Sequence, residues 1–252
     1  MKLKAYLSFL LSAALITLAS VAFASPAAPI DIVFDIDWTT FYTVHPDKPN
    51  QSDEKVIIIE GKAYRPTDHL GEVLEKLSLR PDVRISFFSG GERSRNETLL
   101  RAFKLPSGRS AYDIAYKVLS KENLATVSQD PTLGFSERHK KSMAGILPGA
   151  TAERTILVDD QVNFSVKPWK AVPSLGVFNF QKEFDSSKTN EAYFPRSKEQ
   201  WLAERDKALM WQALLEEALS SNALKKKSFA QVAEDLWSQK SRRGLCKNIF
   251  AD

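Results

Sequence analysis

The chain has 252 residues, 43% of them hydrophobic, with 35 lysines and arginines against 31 acids and a formal charge of +4. So small and dispersed an excess of base gives no nucleic-acid signal by itself. A single cysteine, Cys246, rules out an intramolecular disulfide.

Two lysines, a long apolar run and the small-residue triplet Ala22-Phe23-Ala24 open the chain. This pattern predicts a signal peptide over residues 1–24, removed before Ser25. An uncleaved anchor helix competes with that reading, because the run is about long enough to span a bilayer. The cleavage-like end and Pro26 favour removal, leaving no stable membrane anchor, and no nearby cysteine supports a lipid anchor. The remaining 228 residues suffice for one sizeable core, and losing Lys2 and Lys4 lowers the charge to +2. The expected location is periplasmic or extracellular, and an exported chain without disulfides suits a bacterial periplasm.

Strand and helix patterns then alternate, without internal repeats or low-complexity tracts. Ile32 to Phe34 reads as a short buried strand running into Asp35. "KVIIIEGKAY" reads as a hairpin. From Thr67 as N-cap, Leu70, Val73, Leu74 and Leu77 follow helical spacing as far as Pro81. "VRISFFSGG" is a second buried strand, ending at Ser89, and helices are expected over Arg95–Phe103 and Tyr112–Leu119. "TILVDDQ" is a third apolar run, ending at Asp159 and Asp160. The alternation predicts an α/β fold, a Rossmann-like parallel sheet with helices on both faces and a small hairpin after the first strand. A core domain over 25–190 is followed by a helical extension over 191–252. There, Glu199–Leu219 and the stripe Phe229, Val232, Ala233, Leu236 and Trp237 read as helices packed on the core, with Lys225, Lys226 and Lys227 between them.

Ligands of open parallel sheets bind beyond the carboxyl ends of the strands. Asp35 with Asp37, Ser89, and Asp159 with Asp160 all fall there, and side chains two apart on an extended segment share a direction. Four carboxylates in one crevice call for a hard cation with oxygen ligands, which Mg²⁺ satisfies. Gly90 and Gly91 allow backbone N–H groups to approach a phosphate. Each feature alone has a plainer reading: an Asx turn at Asp35 and Asp37, a Thr39 helix cap, a loop at Asp159 and Asp160. Together, at three matching strand ends, they favour a site. Trp38 reads as a wall of the crevice or as an aromatic facing substrate, and His139 as a surface residue.

This series resembles the haloacid dehalogenase superfamily of phosphohydrolases. Its D-x-D-x-T motif is matched by Asp35, Asp37 and Thr39, its strand-end hydroxyl by Ser89 and its acid pair by Asp159 and Asp160, in order over about residues 30–180. In layout the chain is most similar to the small carboxy-terminal-domain-phosphatase-like group. It departs at Trp38, Thr40 and Gln161, where that group carries other residue types. The resemblance implies a Mg²⁺-dependent phosphomonoesterase with Asp35 as nucleophile and Asp37 as general acid and base. It also implies Lys141 (or Lys140) as the charge-neutralising lysine, at the start of a helix before the last motif. Ser89, Gly90 and Thr39 would meet the phosphoryl group, and Asp35, Asp37, Asp159 and Asp160 would meet the metal. The expected partner is a phosphorylated small molecule or protein. Phosphotransfer to an alcohol through the same intermediate, and a catalytically idle binding protein, are the alternatives. Substrate identity and oligomeric state are not encoded in these motifs.

Overall fold

The computed structural model describes residues 28–175, 178–221 and 226–240. The expected signal peptide, Lys225 and Cys246 lie outside the described residues. In chain order the strands are β1 (Ile30–Phe34), β2 (Phe41–Val44), β3 (Ile57–Ile59), β4 (Lys62–Pro66), β5 (Val83–Phe88), β6 (Ala115–Leu119), β7 (Ala125–Thr126), β8 (His139–Lys140), β9 (Thr155–Asp159) and β10 (Lys170–Pro173). The helices are α1 (Leu70–Ser78), α2 (Arg93–Ala102), α3 (Ala111–Ile114), α4 (Phe135–Arg138), α5 (Lys198–Arg205), α6 (Lys207–Ser220) and α7 (Phe229–Lys240).

The main sheet has the order β10-β9-β1-β5-β6 and every pairing in it is parallel. β1 is central and buried on both faces, which explains its continuous apolar run. Side chains alternate between the faces: Ile32 and Phe34 join one core, Val33 the other. The larger core lies under α1, α2, α6 and α7, where Trp211 stands 6.0 Å from Phe34, ring centre to ring centre. The smaller core is closed by Met143, Leu147 and the partly buried Trp169, from turn-rich segments. The α6–α7 pair therefore shares the principal core of the sheet.

The hairpin forms as β3 and β4, with Glu60 and Gly61 as a two-residue turn at φ 50° and 74°. Positive φ at both turn positions matches the right-handed twist of the strands. β2 adds a third strand to this small antiparallel sheet.

Four local expectations are corrected. Tyr112–Leu119 is not one helix: α3 is a single turn, and Ala115 to Leu119 is an edge strand paired to β5. Only one side of such an edge strand is covered, so its pattern resembles a half-buried helix. The expected Glu199–Leu219 helix divides at Asp206 into α5 and α6. Thr67 does not cap α1: its hydroxyl donates to the Thr39 carbonyl at 2.8 Å, and His69 occupies the N-cap. Lys141 does not begin a helix. It is extended, bridged to Ser165, with its N–H on the Phe164 carbonyl at 2.8 Å.

Candidate active site

Register brings the strand ends together. Phe34 is paired with Phe87 on one side and Val158 on the other, so Asp35 emerges level with Phe88 and Asp159. The Asp35 N–H donates to the Val158 carbonyl at 2.9 Å, continuing the ladder one residue past β1. The chain then turns sharply. Thr40 Oγ1 donates to the Asp35 carbonyl at 2.8 Å, and Trp38 adopts φ 64°, rare for a residue with a side chain. A crevice of about 320 Å³ opens here, lined in part by Asp35, Asp37, Gly90, Asp159 and Asp160.

Lys141 is completely buried beneath this crevice and donates to Asp35 Oδ1 and, at 2.7 Å, to Asp159 Oδ2. Lys140 points elsewhere, to the Asn163 carbonyl at 2.6 Å. Burial opposes the charge on Lys141, but Asp35 and Asp159 outweigh it, so the ammonium pKa lies above its ordinary value. Burial raises Asp35 well above the carboxylate range. Lys141 pulls it down, and Asp159 and Asp160 push it further up. Asp160 is raised to about 6, by burial and then by Asp159.

Among the described residues, Lys141 is hydrogen-bonded to two of these three acids, and Lys207 adds positive charge near Asp160. Asp35, Asp159 and Asp160 offer carboxylate oxygens within 4.8 Å of one another. Asp160 Oδ2 is buried without a hydrogen-bond partner among the described residues. A buried, unpartnered carboxylate oxygen beside two further acids suits a divalent cation, which would supply the missing charge and ligand field. Among these acids, Asp159 Oδ1 is engaged by the Gln161 N–H at 2.8 Å, which orients that carboxylate.

Asp37 stands apart from this cluster. Arg95 donates to both of its oxygens, at 2.6 and 2.7 Å, and Ser89 Oγ donates to Oδ2 at 2.7 Å. Ser89 is buried, and its hydroxyl accepts the Gly91 N–H at 2.9 Å. Thr39, expected at the phosphate, lies beneath the site instead. It is fully buried, its Oγ1 accepts the Asp160 N–H at 3.0 Å, and it lies 3.4 Å from Ser174 Oγ. Its hydroxyl ties the first acid loop to the second. Gly90 stays at the crevice wall, under Phe135.

No family model matches the chain, and no curated protein matches it. Among solved structures, the chain is similar to Fcp1, described as an essential RNA polymerase II CTD phosphatase. The TM-score is 0.40 and the identity 17%, over 88% of this chain and 67% of that one. A second similar structure is a fission yeast RNA polymerase II CTD phosphatase Fcp1 variant bound to beryllium fluoride. There the TM-score is 0.37 and the identity 17%, over 86% of this chain and 67% of the other.

Two cations that contact the acid loop, Arg95 and Lys207, are not evident from the sequence. Arg95 opens α2 beside Arg93, which pairs with Glu122 on the surface, and nothing local separates the two. Lys207 is the first residue of α6, fully buried, and donates to the Trp38 carbonyl at 2.9 Å and to Glu204 Oε1 at 2.6 Å. Tyr42 donates to the same Glu204 oxygen at 2.6 Å. The C-terminal helices therefore hold the turn between Asp37 and Thr39 from behind. The lysine tract, expected in the loop before α7, has Lys227 paired with Asp235 at 2.6 Å.

Proposed function

We propose that this protein is a Mg²⁺-dependent phosphomonoesterase acting through an aspartyl-phosphate on Asp35. The observation that carries this reading is Lys141, buried and shared between Asp35 and Asp159, with Asp160 and its unpartnered oxygen alongside. Asp35 attacks phosphorus while the ester P–O bond breaks, and Asp37 gives a proton to the leaving oxygen. Water then attacks the aspartyl-phosphate, giving its proton to Asp37, and inorganic phosphate leaves as the Asp35 carboxylate is restored.

Asp35, Asp159 and Asp160, with the Asp37 backbone carbonyl, would hold Mg²⁺, which when bound offsets charge on the phosphoryl oxygens. Lys141 keeps Asp35 oriented and adds a fixed positive charge that needs no rearrangement during transfer. In the resting site Asp37 is held by Arg95 and Ser89. An anionic phosphoryl group competes for the same two donors, and the freed Asp37 carboxylate takes up a proton from solvent or from the phosphate monoanion, which it then gives to the leaving oxygen. Export to the periplasm or extracellular space, on the basic and apolar start of the chain, belongs to the same proposal.

Hydrolysis of a generic aryl phosphate by the mature chain, with and without Mg²⁺, tests this reading. Turnover requiring the metal and lost in Asp35→Asn supports it; no turnover with any phosphate ester contradicts it.

A further inference from the structure

The crevice above the acids has an unusual wall. Two aromatic clusters from distant parts of the chain border it. In one, Phe135 is 47% exposed and lies 4.8 Å from the His139 ring and 6.1 Å from Phe164, ring centre to ring centre. Phe135 rests on Gly90: a Cβ there would meet its ring at 3.2 Å, so the glycine admits the aromatic to the phosphate end of the crevice. In the other, Trp38 is 6.2 Å from Tyr193, which is 60% exposed.

The backbone holds this second pair in place at some cost. Trp38 and Tyr193 both have φ in the left-handed region, 64° and 63°, where side-chain-bearing residues seldom sit. Lys207 donates to the Trp38 carbonyl, and the Asn179 N–H donates to the Tyr193 carbonyl at 2.7 Å. Backbone outliers of this kind cluster at active sites and ligand clamps, and Trp38 lines the crevice itself.

Charge narrows the ligand further. The residues lining the crevice include four carboxylates and no lysine or arginine. Lys141 is buried below them, and Arg95 is committed to Asp37 or, with substrate bound, to the transferring phosphoryl group itself. A second anionic group on the leaving alcohol would find carboxylates and the negative faces of aromatic rings.

We infer that the preferred substrates are monophosphate esters whose leaving group carries a neutral planar ring, an aryl or nucleoside phosphate, packed against Trp38 and Phe135. The inference rests on the proposed phosphomonoesterase reading and extends it to substrate class. Base-on-aromatic stacking gives a gain of about 10- to 100-fold in binding for each stacked ring.

The test compares adenosine 5′-monophosphate with ribose 5-phosphate on the full mature protein with Mg²⁺. Both release the same primary 5′ oxygen, so their intrinsic reactivity at phosphorus is matched and only the base differs. The expected kcat/KM ratio is at least about 10 in favour of the nucleotide, and Phe135→Ala and Trp38→Ala should each shrink it. A ratio near one, or one that neither substitution changes, overturns the inference while leaving phosphatase activity intact. Adenosine 3′,5′-bisphosphate should be the poorer substrate of the two adenosine esters; equal or better use overturns the neutral-ring assignment. A parallel arm with O-phosphotyrosine against O-phosphoserine, read in KM, separates aryl from nucleoside preference, and a gain in neither arm counts against the class. Without turnover of any ester, the phosphatase reading fails on its own. Quenching of tryptophan fluorescence by the same nucleotide and sugar pair then decides the ring preference, equal Kd values being the contrary result.

Discussion

Arg95 lays two guanidinium nitrogens on the two oxygens of Asp37, at 2.6 and 2.7 Å, and it reaches them across Gly91. A Cβ at Gly91 would fall 1.8 Å from Arg95 Nη2. The absence of a side chain at residue 91 is therefore what lets the residue 95 fork cover the proposed acid–base group.

That geometry makes Gly91→Ala a way to displace Arg95 while leaving α2 unchanged. Charge-assisted hydrogen bonds contribute about 1.5–3 kcal/mol, so Arg95→Met should lower kcat by roughly 10- to 100-fold. Gly91→Ala should match it, and the double variant should be little worse than either, because both remove the same contact. Steady-state kinetics of the three variants measure this. Additive losses would separate the two residues.

A buried triad joins the C-terminal helices to the acid loop: Tyr42, Glu204 and Lys207, with Lys207 also on the Trp38 carbonyl. Removing one partner of a buried ion pair typically costs about 3–5 kcal/mol, since the other charge stays buried alone. Lys207→Met should lower the urea midpoint accordingly. Adding Glu204→Gln should recover part of the loss. A cost under about 1 kcal/mol in Lys207→Met would mean that Glu204 is already neutral in the fold.

The same triad has an alkaline signature. Burial first, then Glu204, holds the Tyr42 hydroxyl well above the ordinary tyrosine value. The folded state keeps a proton that the unfolded chain releases near pH 10. This contribution to stability is present below about pH 10 and is lost as the pH climbs through the raised value. Phenolate absorbance should show Tyr42 ionising only when the protein unfolds. Wild type and Tyr42→Phe should therefore titrate the same number of tyrosines before unfolding; one fewer in the variant would contradict this.

Much of the site is legible in the sequence because each piece is local. An apolar strand that stops at an acid or hydroxyl declares its own carboxyl end, as at Phe34-Asp35, Phe88-Ser89 and Val158-Asp159, and a parallel sheet sets those ends side by side. Lys141 reaches Asp35, but from an extended segment after β8 and not from the helix start that favours it over Lys140 in the sequence. Arg95 and Lys207 are illegible for the opposite reason. Their partners lie 58 and 169 residues away in sequence, and long flexible side chains leave no periodic trace. Thr39 fits its motif by position, yet only the fold shows its hydroxyl turned toward Asp160. The edge strand β6 and the break at Asp206 are tertiary outcomes that local pattern does not resolve.

The acid cluster predicts a metal requirement measurable without turnover. Mg²⁺ should raise the thermal midpoint of the wild-type protein by mass action. Asp159→Asn and Asp160→Asn, each short of one charge, should lose most of that gain. A Mg²⁺-induced shift of the same size in both variants would remove these acids from the metal site.

In the proposed mechanism Asp35 forms a covalent phosphoenzyme while Asp37 moves the protons. Asp37→Asn should lose rate by about 10²–10⁴-fold, yet an aryl phosphate, whose leaving group needs little protonation, should still phosphorylate Asp35. Intact-mass spectrometry of acid-quenched Asp37→Asn protein is the most direct measurement. The expected result is a phosphoryl adduct that hydroxylamine removes, and no adduct in Asp35→Asn. An adduct in Asp35→Asn, or none in Asp37→Asn while the wild type turns over, would contradict it.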